Sequence, residues 1–188
     1  MTRSTHPALS VCVYCGAREG AKPSYMAAAT DLGQLIADEG WQLVYGAGDV
    51  GLMGAVARAA QAARGDTFGV IPVHLLDMEV GKRDLTSFIV TETMHERKKV
   101  MFMNAHAIVV LPGGAGSLDE FFEVLTWKQI GLHDKPIFLL SIDDYWAPLE
   151  GLIDHVIAEG FAAADLKTSF QTISSIGELK AALRALRA

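Results

Sequence analysis

The sequence predicts an α/β fold: a Rossmann-like three-layer arrangement with a parallel central sheet flanked by helices. Two patterns carry that expectation. Short, nearly continuous apolar runs alternate with stretches of helical periodicity along the chain, as expected for strands buried on both faces and joined by helical crossovers. Several of these runs end in glycine-rich corners that lead into a helix, which is where such sheets bind ligands. The 188 residues are expected to form one domain, a length able to bury a substantial single core.

The elements follow in order. Ser10–Tyr14 is the first expected strand, and Tyr25, Ala29, Leu32 and Ile36 then recur at spacings of four and three, marking one helix face. Gln42–Tyr45 is the second strand, followed by a helix marked by Met53, Val56 and Ala60. Thr67–Ile71 is the third. The long irregular segment from Pro72 to Thr86 carries Asp77, Glu79, Lys82, Arg83 and Asp84, and loops of that length are often functional. Strand Ser87–Val90 leads to a helix opened by Met94-His95-Glu96-Arg97-Lys98-Lys99. Ala107–Leu111 is the next strand, and Leu118, Phe121, Phe122 and Leu125 mark the face of the helix after it. Strand Ile137–Leu140, a helix from about Trp146 to Ala158, a weaker strand Phe170–Ile173 and a helix from Ile176 to Leu186 complete the series. No Pro/Ser-rich linker, repeat or low-complexity block interrupts it.

Composition narrows the function classes. Hydrophobic residues make up 51% and charged residues 20%, an ordinary globular balance. A formal charge of −6 and a pI of about 5.4 argue against a general nucleic-acid binder, which needs a basic footprint, but leave room for a local anion site. No apolar run approaches the roughly 18 residues that span a bilayer, and MTRSTHPALS lacks an apolar h-region and a lipidation signal. A cytoplasmic protein without membrane association is expected. Cys12 and Cys15 form a nominal C-x-x-C, but an odd offset in a strand sends them to opposite faces, so two buried structural thiols are the better reading.

Three strand ends carry glycine: Cys-Gly-Ala-Arg-Glu-Gly (15–20), Gly-Ala-Gly-Asp-Val-Gly (46–51) and Leu-Pro-Gly-Gly-Ala-Gly-Ser-Leu-Asp-Glu (111–120). The second matches G-x-G-x-x-G, yet the dinucleotide version wants an acidic residue at the far end of the next strand. Asp66 falls at that strand's start, so the match fails its context; Gly46, Gly48 and Gly51 are expected to permit a tight turn beside a smaller ligand. In the third corner, Gly113, Gly114 and Gly116 leave backbone amides open to an anion and Ser117 adds a hydroxyl. The competing explanation is that Ser117 to Glu120 is S-x-x-E, a capping box that only ties the helix start. In the 94–99 cluster, Arg97 and Lys98 straddle the direction shared by Met94 and Met101. They either border a cleft or snorkel to solvent along their stems.

Taken together, Val-Tyr-Cys-Gly, Tyr-Gly-Ala-Gly-Asp-Val-Gly-Leu-Met-Gly, Gly-Val-Ile-Pro, Met-His-Glu-Arg-Lys and Pro-Gly-Gly-Ala-Gly-Ser-Leu-Asp-Glu resemble the LONELY GUY family, the cytokinin riboside 5′-monophosphate phosphoribohydrolases, whose members were often labelled lysine decarboxylases. The resemblance runs from about Val11 to Ile142. It implies a nucleotide-binding domain that hydrolyses the N-glycosidic bond of an adenosine 5′-monophosphate-type nucleotide, a cytokinin riboside monophosphate or AMP. It places Arg97 and Glu120 at the catalytic positions. Lys98, Gly113, Gly114, Ala115, Gly116, Ser117, Leu118 and Asp119 match the substrate-binding positions, with Glu79 and Thr126 as further contacts. It implies a homodimer with a small-molecule nucleoside monophosphate as ligand, no metal and no cofactor. The chain departs from the family pattern at Ser117, where threonine is usual, at Asp119, where glutamate is common, at Ala17 and Arg18, where serines are frequent, and at His106, where aspartate is frequent. A carrier of a nucleotide-like cofactor such as molybdenum cofactor, or a nucleotide-sensing subunit, is the rival expectation. A decarboxylase has little support, since no lysine stands in a recognisable cofactor-anchoring motif.

Overall fold

The computed structural model describes residues 8–76, 81 and 83–186. In chain order it contains β1 (Ser10–Tyr14), α1 (Pro23–Asp38), β2 (Gln42–Tyr45), α2 (Gly51–Ala62), β3 (Asp66–Pro72), β4 (Ser87–Thr91), α3 (Met94–Met103), β5 (Ala107–Val110), α4 (Ala115–Gln129), β6 (Ile137–Leu140), α5 (Ala147–Ala158), β7 (Gln171–Ile173) and α6 (Ile176–Ala185). The seven strands form one sheet in the order β4-β3-β2-β1-β5-β6-β7, and every pairing is parallel. The expected Rossmann-like architecture is therefore present.

Alternation along the strands sorts side chains into two cores. Val11, Val13, Leu43, Tyr45, Val109 and Leu140 pack with α1, α2 and α6 on one face. Cys12, Tyr14, Val44, Ile108, Val110 and Leu139 pack with α3, α4 and α5 on the other. Cys12 and Cys15 fall into different cores, and neither is in a disulfide. Burial, with the Glu120 carboxylate adding to it, pushes the Cys12 thiol far up, so it stays protonated and inert. The edge strands depart from two-sided burial, β4 most of all. It lies at the sheet edge, with Ile89 38% and Val90 49% exposed. The face of α4 also differs from expectation: Phe122 is exposed, and Val124 joins Phe121 and Leu125 in the core. No helix among the described residues is long and apolar enough to cross a membrane.

Chain direction along the sheet reverses between β1 and β5, since β2, β3 and β4 extend one way and β6 and β7 the other. Loops leaving the carboxyl ends of β1 and β5 must therefore part to opposite sides, opening a crevice between them. The two loops are the first and third glycine corners.

Candidate active site

Backbone hydrogen bonds lock the three corners together. Gly16 N–H donates to the Pro112 carbonyl (3.0 Å), and Leu52 N–H donates to the Gly16 carbonyl (3.1 Å). Gly51, at φ +54°, lies directly against the backbone of Ala17 and Arg18, where any β-carbon would collide. The second corner thus serves the first corner rather than a dinucleotide, and Asp66 is indeed the first residue of β3. A cavity of about 740 Å³ opens where the corners meet, within the range of small-ligand sites. Its lining combines apolar side chains, Leu52, Met53, Leu75, Met94, Met101 and Tyr25, with the glycine corner from Gly113 to Ser117 and the charged Asp119, Glu120 and Arg97.

The capping-box expectation at Ser117 fails. Gly114 occupies the N-cap in an extended conformation (φ −97°, ψ −152°), no side chain caps the helix, and α4 begins at Ala115. Its first turn closes with the Leu118 N–H donating to the Gly114 carbonyl (3.1 Å). Ser117 is therefore already inside the helix, buried beneath Gly113, whose missing β-carbon gives its hydroxyl room. The amides of Ala115, Gly116 and Ser117 have no partner within the helix, and the helix dipole adds positive potential there. A capping box is present at the start of α3, where Thr93 Oγ1 accepts from Glu96 N–H (3.2 Å) and Glu96 Oε2 accepts from Thr93 N–H (3.3 Å). Glu120 is thus not a cap of α4, and it lines the cavity.

Arg97 and Lys98 do not snorkel; they are 4% and 5% exposed. Arg97 Nε donates to the Val70 carbonyl (3.1 Å) and one terminal nitrogen donates to the Gly46 carbonyl (2.6 Å). The guanidinium is thereby fixed across the ends of β2 and β3. A β-carbon on Gly46 would run into it. Lys98 lies on the far side, donating to Asp119 Oδ2 (2.9 Å) and pairing with Glu123 Oε1 (3.0 Å). Burial opposes its charged form, but the hydrogen bonds to Asp119 and Glu123 outweigh that and hold Lys98 above the ordinary lysine value. Because the folded value lies above the unfolded one, this stabilisation is complete below the ordinary lysine pKa and fades only as pH climbs through the raised one. Lys98→Met, which keeps the stem and removes the charge, is expected to cost about 1–2 kcal/mol in a urea melt at neutral pH, since Asp119 is exposed but Glu123 is partly buried.

Tyr145, which no sequence pattern singled out, completes the wall. Its hydroxyl donates to the Gly113 carbonyl (2.6 Å), and its ring stands edge-on to Tyr25 with centroids 5.4 Å apart. Fixing that carbonyl also fixes the peptide plane running into Gly114, the N-cap of α4. Tyr145→Phe should raise the dissociation constant of ribose 5-phosphate by roughly fivefold to tenfold, read by calorimetry, through loss of one hydrogen bond that orders the corner.

Of the residues expected at the site, the structure brings Arg97, Gly113, Gly114, Ala115, Gly116, Ser117, Asp119 and Glu120 to one cavity. Three others do not line it. Lys98 is turned to Asp119 and Glu123, Leu118 packs into the core beneath the α3–α5 face, and Thr126 is exposed on α4, nine residues or about 13 Å beyond Ser117 along the axis. Glu79 lies outside the described residues. His106 is bound into the framework, its Nδ1 accepting from Ser10 N–H (2.9 Å).

Fold and site together define a Rossmann-like α/β protein with a cavity at the topological switch point. A family model described as "Possible lysine decarboxylase" matches residues 53–183. A rice (Oryza sativa subsp. japonica) protein named probable cytokinin riboside 5′-monophosphate phosphoribohydrolase LOG4 is 41% identical over 173 residues, 92% of this chain and 75% of its own. The chain belongs to this LONELY GUY (LOG) family. The Arabidopsis thaliana cytokinin riboside 5′-monophosphate phosphoribohydrolase LOG5 is 39% identical over 177 residues, 94% of this chain and 78% of its own. Among solved structures, the molybdenum cofactor binding protein of Rippkaea orientalis superposes with a TM-score of 0.75 at 23% identity, covering 98% of this chain and 100% of that one. The molybdenum cofactor carrier protein of Chlamydomonas reinhardtii gives 0.70 at 22% identity, covering 95% and 97%. At that identity the two share the fold.

Proposed function

We propose that this chain hydrolyses the N-glycosidic bond of an adenosine 5′-monophosphate-type nucleotide, a cytokinin riboside monophosphate or AMP, releasing the free base and ribose 5-phosphate. One observation carries the reading. The uncapped amino end of α4, the Glu120 carboxylate and the Arg97 guanidinium line one cavity, and Leu52, Met53, Leu75, Met94 and Met101 in the same lining supply apolar surface for a base and its substituent. The amides of Ala115 to Ser117 hold the 5′-phosphate. This sets the ribose over the first turn of α4, where Glu120 faces it. Departure of the base builds positive charge on C1′, and a carboxylate there stabilises it or takes a proton from the attacking water. Water forms the new C1′–O bond as the C1′–N bond breaks, its pair leaving with the base. Arg97 orients the carboxylate and the ribose, and positioning of this kind supplies much of the rate.

The working unit of this proposal is a homodimer. Phe122, Thr126 and Ile130 lie at spacings of four on one exposed stripe of α4, and a second copy covering that stripe would bring Thr126 toward the partner's site. Sedimentation at several concentrations tests the dimer. The activity is tested by chromatography of the base released from AMP, isopentenyladenosine monophosphate and their nucleosides. Release of base with a strong preference for the phosphorylated substrates supports it, and tight binding without turnover overturns it in favour of a carrier.

A further inference from the structure

Arg18 stands at the mouth of the cavity with a role that the catalytic reading has not used. It is exposed, it lines the same space as Gly114, Ala115, Gly116 and Ser117, and among the described residues it makes no hydrogen bond or ion pair. Its backbone is nevertheless held firmly. Gly16 is bonded to Pro112 and to Leu52, Gly51 is pressed against the Ala17–Arg18 peptide, and a β-carbon on Gly16 would sit 3.3 Å from Gly113 Cα and 3.4 Å from the Arg18 carbonyl oxygen. The root of this arginine is thus docked against the glycine corner while its charged end is left unengaged.

The charge balance of the cavity gives that end a task. Among the described residues, three carboxylates line it: Glu19, Asp119 and Glu120. Asp119 is offset by Lys98, and Arg97 spends hydrogen bonds on the Gly46 and Val70 carbonyls at the deep end. A phosphate dianion entering beside Glu120 meets dipoles at the α4 amino end, and among the described residues lining the cavity Arg18 and Arg97 are the cations. We infer that Arg18 closes over the 5′-phosphate as its counter-charge and sets the preference for phosphorylated over unphosphorylated substrate. A cation on a long stem is suited to this, since a charge-assisted hydrogen bond to a phosphate oxygen is among the stronger polar contacts. The substrate in this inference rests on the phosphoribohydrolase reading; the anion site rests on the geometry of the corner.

The test compares wild type, Arg18→Gln and Arg18→Lys at low and high ionic strength. Two readouts are taken, steady-state hydrolysis of AMP and adenosine and calorimetric binding of ribose 5-phosphate. Arg18→Gln is expected to raise KM for AMP and the dissociation constant of ribose 5-phosphate by about tenfold. It should hold kcat on AMP within about twofold, because the ion pair is made equally in ground and transition states. The preference for AMP over adenosine should fall by the same factor, KM should lose part of its salt dependence, and Arg18→Lys should restore most of the binding. Unchanged constants in Arg18→Gln, or a loss that lysine does not restore, overturn the assignment. A wild type that binds ribose 5-phosphate through Arg18 yet hydrolyses no nucleotide sinks the catalytic reading and leaves the Arg18 site standing. A wild type that releases base from AMP yet binds no ribose 5-phosphate keeps the catalytic reading and sinks the Arg18 site.

Discussion

Glu120→Gln is expected to lower turnover of AMP or a cytokinin riboside monophosphate by roughly 10²-fold or more while leaving the unfolding midpoint close to that of the wild type. The substitution is nearly isosteric and removes only the carboxylate. Had Glu120 closed a capping box with Ser117, glutamine would have preserved the cap and the variant would keep its activity. The structure has already separated the two roles: the N-cap is Gly114, and no side chain caps α4. Glu120 therefore owes its place to the cavity it lines. Single-turnover measurement with saturating substrate distinguishes a chemical defect from weaker binding, because loss of a group acting only on the developing charge at C1′ lowers kcat and leaves KM nearly unchanged. An active Glu120→Gln enzyme would remove the carboxylate from the mechanism.

The strands were the most legible part of this sequence, and the reason is physical. Parallel strands buried on both faces must be apolar throughout, so β1, β2 and β6 occupy the residues their composition marks. The glycine corners were legible as well, since backbone approaching backbone excludes side chains. What those glycines approach was not. Gly46 gives way to Arg97 and Gly51 to the Ala17–Arg18 backbone, contacts that join segments about 50 and about 30 residues apart and leave no local trace. The start of α4 is ambiguous in the sequence because S-x-x-E satisfies a capping rule at a place where a more permissive residue, Gly114, lets the helix begin earlier. Tyr145 was invisible for a related reason. Its hydrogen bond reaches Gly113 from 32 residues away, out of a loop whose composition resembles any other turn.

Gly46→Ala carries the second large expectation, and it probes Arg97 without touching it. The added methyl would occupy space now filled by a terminal nitrogen of the Arg97 guanidinium, and would lie 2.9 Å from Cζ and 3.2 Å from Nε. Arg97 is buried and bonded to two carbonyls, so it cannot swing into solvent as a surface arginine would. Either the guanidinium shifts, breaking its bond to the Gly46 carbonyl, or the end of β2 moves away from α3. Overpacking of this kind costs about 1–3 kcal/mol. Displacing the group that orients the site by even about 1 Å is expected to reduce turnover by about 10²-fold. Gly151→Ala is the control, because that exposed position in α5 has nothing within 4 Å of an added β-carbon. Alanine there should stabilise the helix by up to about 1 kcal/mol and leave catalysis alone. The informative result is the pairing of effects in Gly46→Ala: a melt shift together with a lower kcat ties the position of Arg97 to both fold and reaction. A lower stability with wild-type kcat would mean that Arg97 braces β2 and β3 and has no part in the chemistry.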